Sequence, residues 1–107
     1  MRVEVFFVPD CPHHPAAVQR VRDVLLAEGI RAEIHETAIT DANAAQELRF
    51  RGSPTIRING RDIAGESSHA KAFGLSCRLY PGSVEIGLPP IEMVRRAVVE
   101  AREGNLF

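Results

Sequence analysis

The sequence predicts an α/β domain: a four-stranded mixed sheet flanked by helices, in the order β-α-β-α-β-β-α. Three observations carry this. Residues 2–8, RVEVFFV, alternate and then run apolar, as a strand covered on both faces does. Residues 18–26 then place valine and leucine at helical spacing. Asn59-Gly60, between two short extended runs, is a strong two-residue hairpin signal. A strand–helix–strand unit requires a right-handed crossover and parallel strands, and the hairpin makes the last strand antiparallel.

Each element has its own punctuation. Pro9, Pro12 and Pro15 break the first strand, and Pro15 suits a first helical turn because its missing N–H costs nothing there. Val18, Val21, Val24, Leu25 and Leu26 form the apolar side of a helix over about 15–28, stopped by Gly29. Residues 31–38 alternate weakly as a second strand. Thr40 or Asp41 caps a short helix reaching about Arg51, with Gly52 as its stop. Residues 54–58 and 61–63 are the hairpin strands. Residues 64–89 show little periodicity, and a loop that long is unusual in a compact domain, so short elements are expected at 67–73 and 77–80. Pro89-Pro90 opens a last helix with Ile91, Val94, Val98 and Ala101 as its buried stripe and Gly104 as its stop.

Composition narrows the function classes. The 107 residues fit one domain over 1–107, and 45% hydrophobic with 25% charged residues is ordinary globular usage rather than disorder. Thirteen basic against fourteen acidic side chains give a net charge of −1, so no nucleic-acid partner is expected. No apolar run approaches the roughly 18–20 residues of a membrane span, so no membrane partner is expected either. The opening MRVEVFFVPD has one basic residue and too short an apolar run for a secretory signal, so a cytoplasmic location is expected. Two cysteines do not make a disulfide scaffold. In the cytoplasm thiols stay reduced unless they work in redox or metal chemistry.

Cys11 lies between a strand and a helix start. Free N–H groups and the positive end of the helix dipole favour a thiolate there. His13 and His14 add positive charge or a proton shuttle. The competing reading is an inert apolar thiol, against which the flanking prolines of a polar loop speak. Ser53-Pro54-Thr55 puts a proline at the start of a β-branched strand, a position reserved for ends, edges and special turns.

With Cys11-Pro12-His13-His14 before the first helix, Ser53-Pro54-Thr55 before the third strand and the Asn59-Gly60 hairpin, the chain resembles the thioredoxin-like superfamily, in particular small bacterial thioredoxin- and glutaredoxin-like proteins. The resemblance covers residues 1–63 and the last helix, leaving about 64–89 as an insert. It implies that Cys11 is a nucleophile and that Pro54 is a cis-proline shaping a substrate groove. It also implies that the Ser53 backbone binds an extended thiol-bearing partner, with Pro12, His13 and Thr55 around it. His14 stands where a dithiol enzyme carries its second cysteine, so a local C-x-x-C disulfide cannot form.

Cys77 is the remaining thiol, either a distant resolver for Cys11 or a core thiol beside Leu75, Leu79 and Tyr80. Arg49, Arg51, Arg57, Arg61 and Arg78 are either a solvated face or a positive surround favouring a carboxylate-rich thiol of the glutathione kind. Cys11, His13, His14, His69 and Cys77 also suit a soft metal, although C-x-H-H is no standard zinc spacing and no metal or other cofactor is expected.

The leading expectation is therefore a thiol–disulfide oxidoreductase or thiol-dependent redox protein. Cys11 is its nucleophile, His14 assists, and Cys77 is a candidate resolver. The expected partner is a disulfide- or thiol-bearing protein or a glutathione-like small thiol. The alternatives are a non-catalytic thioredoxin-like binding module and a soft-metal-binding protein.

Overall fold

β1 (Arg2–Phe7) holds the sheet together, because two strands pair with it. β2 (Glu33–Ala38) lies parallel on one side, with Val3 opposite Ile34 and Phe7 opposite Ala38. β3 (Thr55–Ile58) lies antiparallel on the other side, with Val3 opposite Ile58 and Val5 opposite Ile56. β4 (Arg61–Asp62) extends β3 through the hairpin, giving the order β2-β1-β3-β4. Asn59 and Gly60 both take positive φ, 51° and 86°, the type I′ geometry that matches strand twist. The computed structural model describes residues 1–65, 78, 80 and 87–104. It gives the expected α/β class: a four-stranded mixed sheet flanked by three helices.

The period-two rule sorts side chains onto two cores. Val3, Val5, Ile56 and Ile58 face one way, against Val18, Val21, Val24 and Leu25 of α1 (His14–Ala27) and Val94 and Val98 of α3 (Ile91–Arg102). Phe6 faces the other way and joins Ile39, Phe50 and Ala45 of α2 (Ala42–Glu47). Arg20 Nη1 donates to the Pro89 carbonyl at 2.7 Å and so ties α1 to the start of α3.

Two helix ends share one solution. After α1, Gly29 N–H donates to Leu26 O and Ile30 N–H to Leu25 O; after α2, Arg49 N–H donates to Gln46 O and Phe50 N–H to Ala45 O. Each is a Schellman closure. In α2 the left-handed position holds Arg49 (φ 53°) instead of glycine. That corrects the expected end near Arg51: the helix stops at Glu47, and the closure turns Phe50 into the core with no exposure. At the other end Asp41, not Thr40, is the cap, accepting from Ala44 N–H at 2.8 Å.

Two apolar expectations are also corrected. Leu26 is 83% exposed. At about 100° per residue it points roughly 80° beyond Val18, outside the buried arc of Ala17, Val18, Val21, Val24 and Leu25. Ile91 is 42% exposed, whereas Leu88 and Pro89 just before α3 are buried. The short elements expected at 67–73, and most of 77–80, lie outside the described residues.

The adjacent leucines give a direct test. Leu25→Ala should cost about 2–4 kcal/mol of stability in urea unfolding, as deletion of a buried leucine does. Leu26→Ala should stay within about 0.5 kcal/mol, as exposed positions do. Equal losses at the two sites would contradict the orientation of α1.

Candidate functional site

The chain leaves β1 through a turn. Cys11 N–H donates to Val8 O at 3.1 Å, and Asp10 takes φ 65°. Pro9 followed by a left-handed residue is the sequence of a type II turn. Its tip, Pro9 and Asp10, is exposed, whereas Cys11 folds back and is only 8% exposed. That corrects the expectation that the flanking prolines keep Cys11 in the open: they shape a turn whose hydrogen bond returns the residue to the protein. The Cys11 carbonyl then accepts from His14 N–H at 3.4 Å, which leads into α1. The N-cap position, His13, makes no side-chain cap, and the first turn of α1 holds no acidic residue. The positive end of the helix is therefore not neutralised by its own residues.

The His14 side chain is engaged by β1 and β2. Its ring stacks on Phe7 with centroids 3.7 Å apart and planes 5° apart. Its Nε2 lies 2.5 Å from Glu36 Oε1 on β2. An ionised carboxylate can only accept, so the ring proton in this bond sits on Nε2. The His13 ring packs at Gly87, where a Cβ would stand 2.6 Å from the ring carbon Cδ2. Any side chain at 87 would displace that ring, and the φ of +83° there also favours glycine.

Opposite the turn lies the Ser53-Pro54 loop, whose peptide bond is cis, as the family resemblance implies. Ser53, Pro54 and Thr55 are all buried. Val8 N–H donates to Ser53 Oγ at 3.0 Å, so the loop joins the turn that carries Cys11. Thr55 Oγ1 donates to Gly52 O at 2.6 Å and closes the loop on itself. Arg78 N–H donates to Ser53 O at 3.1 Å, and Tyr80 O–H donates to Pro54 O at 2.5 Å. The resemblance implies a Ser53 backbone that binds a partner; its carbonyl is engaged within the chain.

Arg78 is fixed from its other end. Its guanidinium forms a two-pronged pair with Asp62, at 2.7 and 2.9 Å, and lies 4.5 Å over the Tyr80 ring. Both charged side chains are buried. Burial alone would lower the Arg78 guanidinium, but the Asp62 hydrogen bond and the surrounding charge hold it above its ordinary range. Burial pushes the Tyr80 phenol well above its usual value near 10, against the pull of the Arg78 guanidinium.

The five arginines separate. Arg78 sits in this buried pair, and Arg49, Arg51 and Arg57 line a cleft beside α2. Arg61 lines a different cleft between β4 and α3 with Arg96. Cys77 and His69 lie outside the described residues. Among the described residues, no three histidine, cysteine, aspartate or glutamate side chains cluster to hold a metal. No helix among them is long and apolar enough to cross a membrane.

The site so built is a thiol before a helix start, joined through Val8 to a cis-proline loop, on an architecture compatible with a thioredoxin-like fold. Comparison with protein-family models, curated proteins and solved structures finds no match. The reading of function therefore rests on the residues themselves. Sequence reasoning missed Glu36, Asp62 and Tyr80 as partners of the site. Only their pairing across the fold marks them, and no local spacing announces it.

Two outcomes test this cluster. Asp62→Ala leaves a buried guanidinium unpaired and should cost about 3–5 kcal/mol of stability in urea unfolding. Tyr80 is the chain's one tyrosine and there is no tryptophan, so phenolate absorbance reports it alone. A phenol raised in the folded state keeps its proton longer when native. This phenol therefore adds no pH dependence to stability below about pH 10 and lowers stability as pH rises above it. The absorbance should rise only together with unfolding, whereas titration near pH 10 in the folded protein would contradict the burial.

Proposed function

We propose that this chain is a cytoplasmic thioredoxin-like protein that performs thiol–disulfide exchange with Cys11 as its nucleophile. The carrying observation is the place of Cys11: next to a helix start with no side-chain cap and no acidic residue in its own first turn, and held by the Val8 turn to the Ser53-Pro54 loop.

The exchange proceeds in two displacements. The Cys11 thiolate attacks one sulfur of a partner's disulfide, and the partner's other sulfur leaves as a thiolate. Cys77 as thiolate then attacks Cys11 Sγ, releasing the partner's second thiolate and closing a Cys11–Cys77 disulfide. The partner is reduced by two electrons and this chain is oxidised by two. Two molecules of a small thiol of the glutathione kind then reduce it, the first forming a mixed disulfide and the second displacing it, and the two leave joined as their own disulfide. Support for Cys77 comes from its sequence neighbour: Arg78 is anchored to the Ser53 carbonyl of the loop that is tied to the Cys11 turn.

His14 acts as a positioning residue in this reading. Its ring is held by Phe7 and Glu36, which ties the first residue of α1 to β1 and β2.

A second reading has its own observation. Cys11 is nearly covered, and the Ser53 and Pro54 carbonyls both accept hydrogen bonds from within the chain. Those features suit a non-catalytic binding module.

Reaction with glutathione disulfide at pH 7, followed by peptide mapping, separates the two. Exchange predicts a Cys11–Cys77 crosslink in the natural sequence, a trapped Cys11 adduct in Cys77→Ser and no adduct at Cys77 in Cys11→Ser. Failure of folded Cys11 to react, while the urea-unfolded chain reacts, would favour the binding module.

A further inference from the structure

β2 is an open edge of the sheet. Among the described residues it pairs with β1 alone, and every one of its residues except Ile34 is exposed. Glu33 N–H donates to Met1 O and Ile39 N–H to Phe7 O. The period of two then turns the backbone groups of residues 33, 35 and 37 toward β1, and those of Ile34, Glu36 and Ala38 outward. Natural edges are blunted by shortness, proline, bulges or charge. β4, at the other edge, is two residues long. β2 runs for six, EIHETA, in unbroken register with β1 and without proline. Its blunting charges are Glu33 and Glu36, and they select what the edge accepts.

The run is self-complementary in one antiparallel register. Two copies centred on Glu33 or on Glu36 would set carboxylate directly against carboxylate, which is unfavourable. Centred on Ile34, Glu33 of each copy stands opposite His35 of the other, an acceptor against an N–H donor. The same two side chains already meet within one chain at 3.2 Å and are otherwise open to solvent. Ile34 then lies opposite Ile34, with its outward backbone groups bonded across the seam.

An apolar residue marks the same place. α1 turns Arg20 and Glu28 toward Pro89 and Arg102 at α3, and Val18, Val21 and Leu25 toward the sheet. At about 100° per residue, Leu26 comes round on the side away from α3, beside the β2 edge. Leu26 and Ile34 both adjoin the short α1–β2 connection, so the axis of a pair centred on Ile34 brings the exposed Leu26 of each copy to the seam.

We propose that two copies of this chain associate edge to edge through β2, antiparallel and centred on Ile34, forming one continuous sheet. The contact is small, so the dimer is reversible and forms at high chain concentration. It does not depend on the chemistry of Cys11.

Sedimentation equilibrium of the whole chain, with a reductant present, tests it over roughly 10 µM to 1 mM. The expected mass rises with concentration from 11.8 kDa toward twice that value. Leu26→Ala should weaken association about tenfold, the order for covering a leucine side chain, while the dilute monomer unfolds in urea as the natural sequence does. His35→Glu and Glu33→Lys should each weaken it about tenfold, by setting like charges opposite each other. An equimolar mixture of those two variants should regain association, because the introduced glutamate then faces the introduced lysine. Misfolded variants would not give that recovery. A mass of 11.8 kDa at every concentration would overturn the proposal. So would a dimer that none of the substitutions weakens, or a mixture that associates no better than its components.

Discussion

The structure depends on how the loop before β3 is held. Ser53, Pro54 and Thr55 are buried, so their polar groups need partners inside the protein. The partners come from the end of β1, from the chain beyond β4 and from the loop itself. Ser53 Oγ takes the Val8 amide at the end of β1, Ser53 O takes the Arg78 amide, and Pro54 O takes the Tyr80 hydroxyl. Thr55 Oγ1 satisfies the Gly52 carbonyl. One short loop thus joins the turn that carries Cys11, the start of β3 and the chain beyond β4.

The Asp62–Arg78 pair extends this arrangement. A buried ion pair is a poor source of net stability, because both charges lose water. Its value lies in specificity: a guanidinium with two bonds to one carboxylate and a ring beneath it has few alternative positions. The pair fixes Arg78, and its amide in turn holds Ser53. A surface ion pair such as Arg95–Glu92 on α3 has no such consequence, since water can replace either partner.

The sequence showed features set by local periodicity and turn chemistry. α1 and α3, the parallel β1–β2 pair and the Asn59-Gly60 hairpin all follow from short-range patterns. What it hid was set at longer range or by exception. Arg49 ends α2 in a conformation usually given to glycine, so no glycine marked the stop. Leu26 and Ile91 are apolar residues at positions that packing leaves outside. At the site, Cys11 and the Ser53-Pro54-Thr55 run were legible from their neighbours in sequence. The covering of Cys11 was not, because it follows from the turn geometry of Val8 to Cys11. Nor were the His14–Glu36 and Asp62–Arg78 pairs, which join residues 22 and 16 positions apart with no periodic signature.

Native-state hydrogen exchange at the Val8 and Arg78 amides tests most directly whether the Ser53 loop holds the site together. If it does, both amides exchange slowly, at rates close to those of the β1 core amides. Ser53→Ala, which removes Oγ and keeps the carbonyl, then releases Val8 while Arg78 stays protected. Exchange of both amides at the rate of an unstructured peptide, or a Val8 rate unchanged by Ser53→Ala, would contradict it.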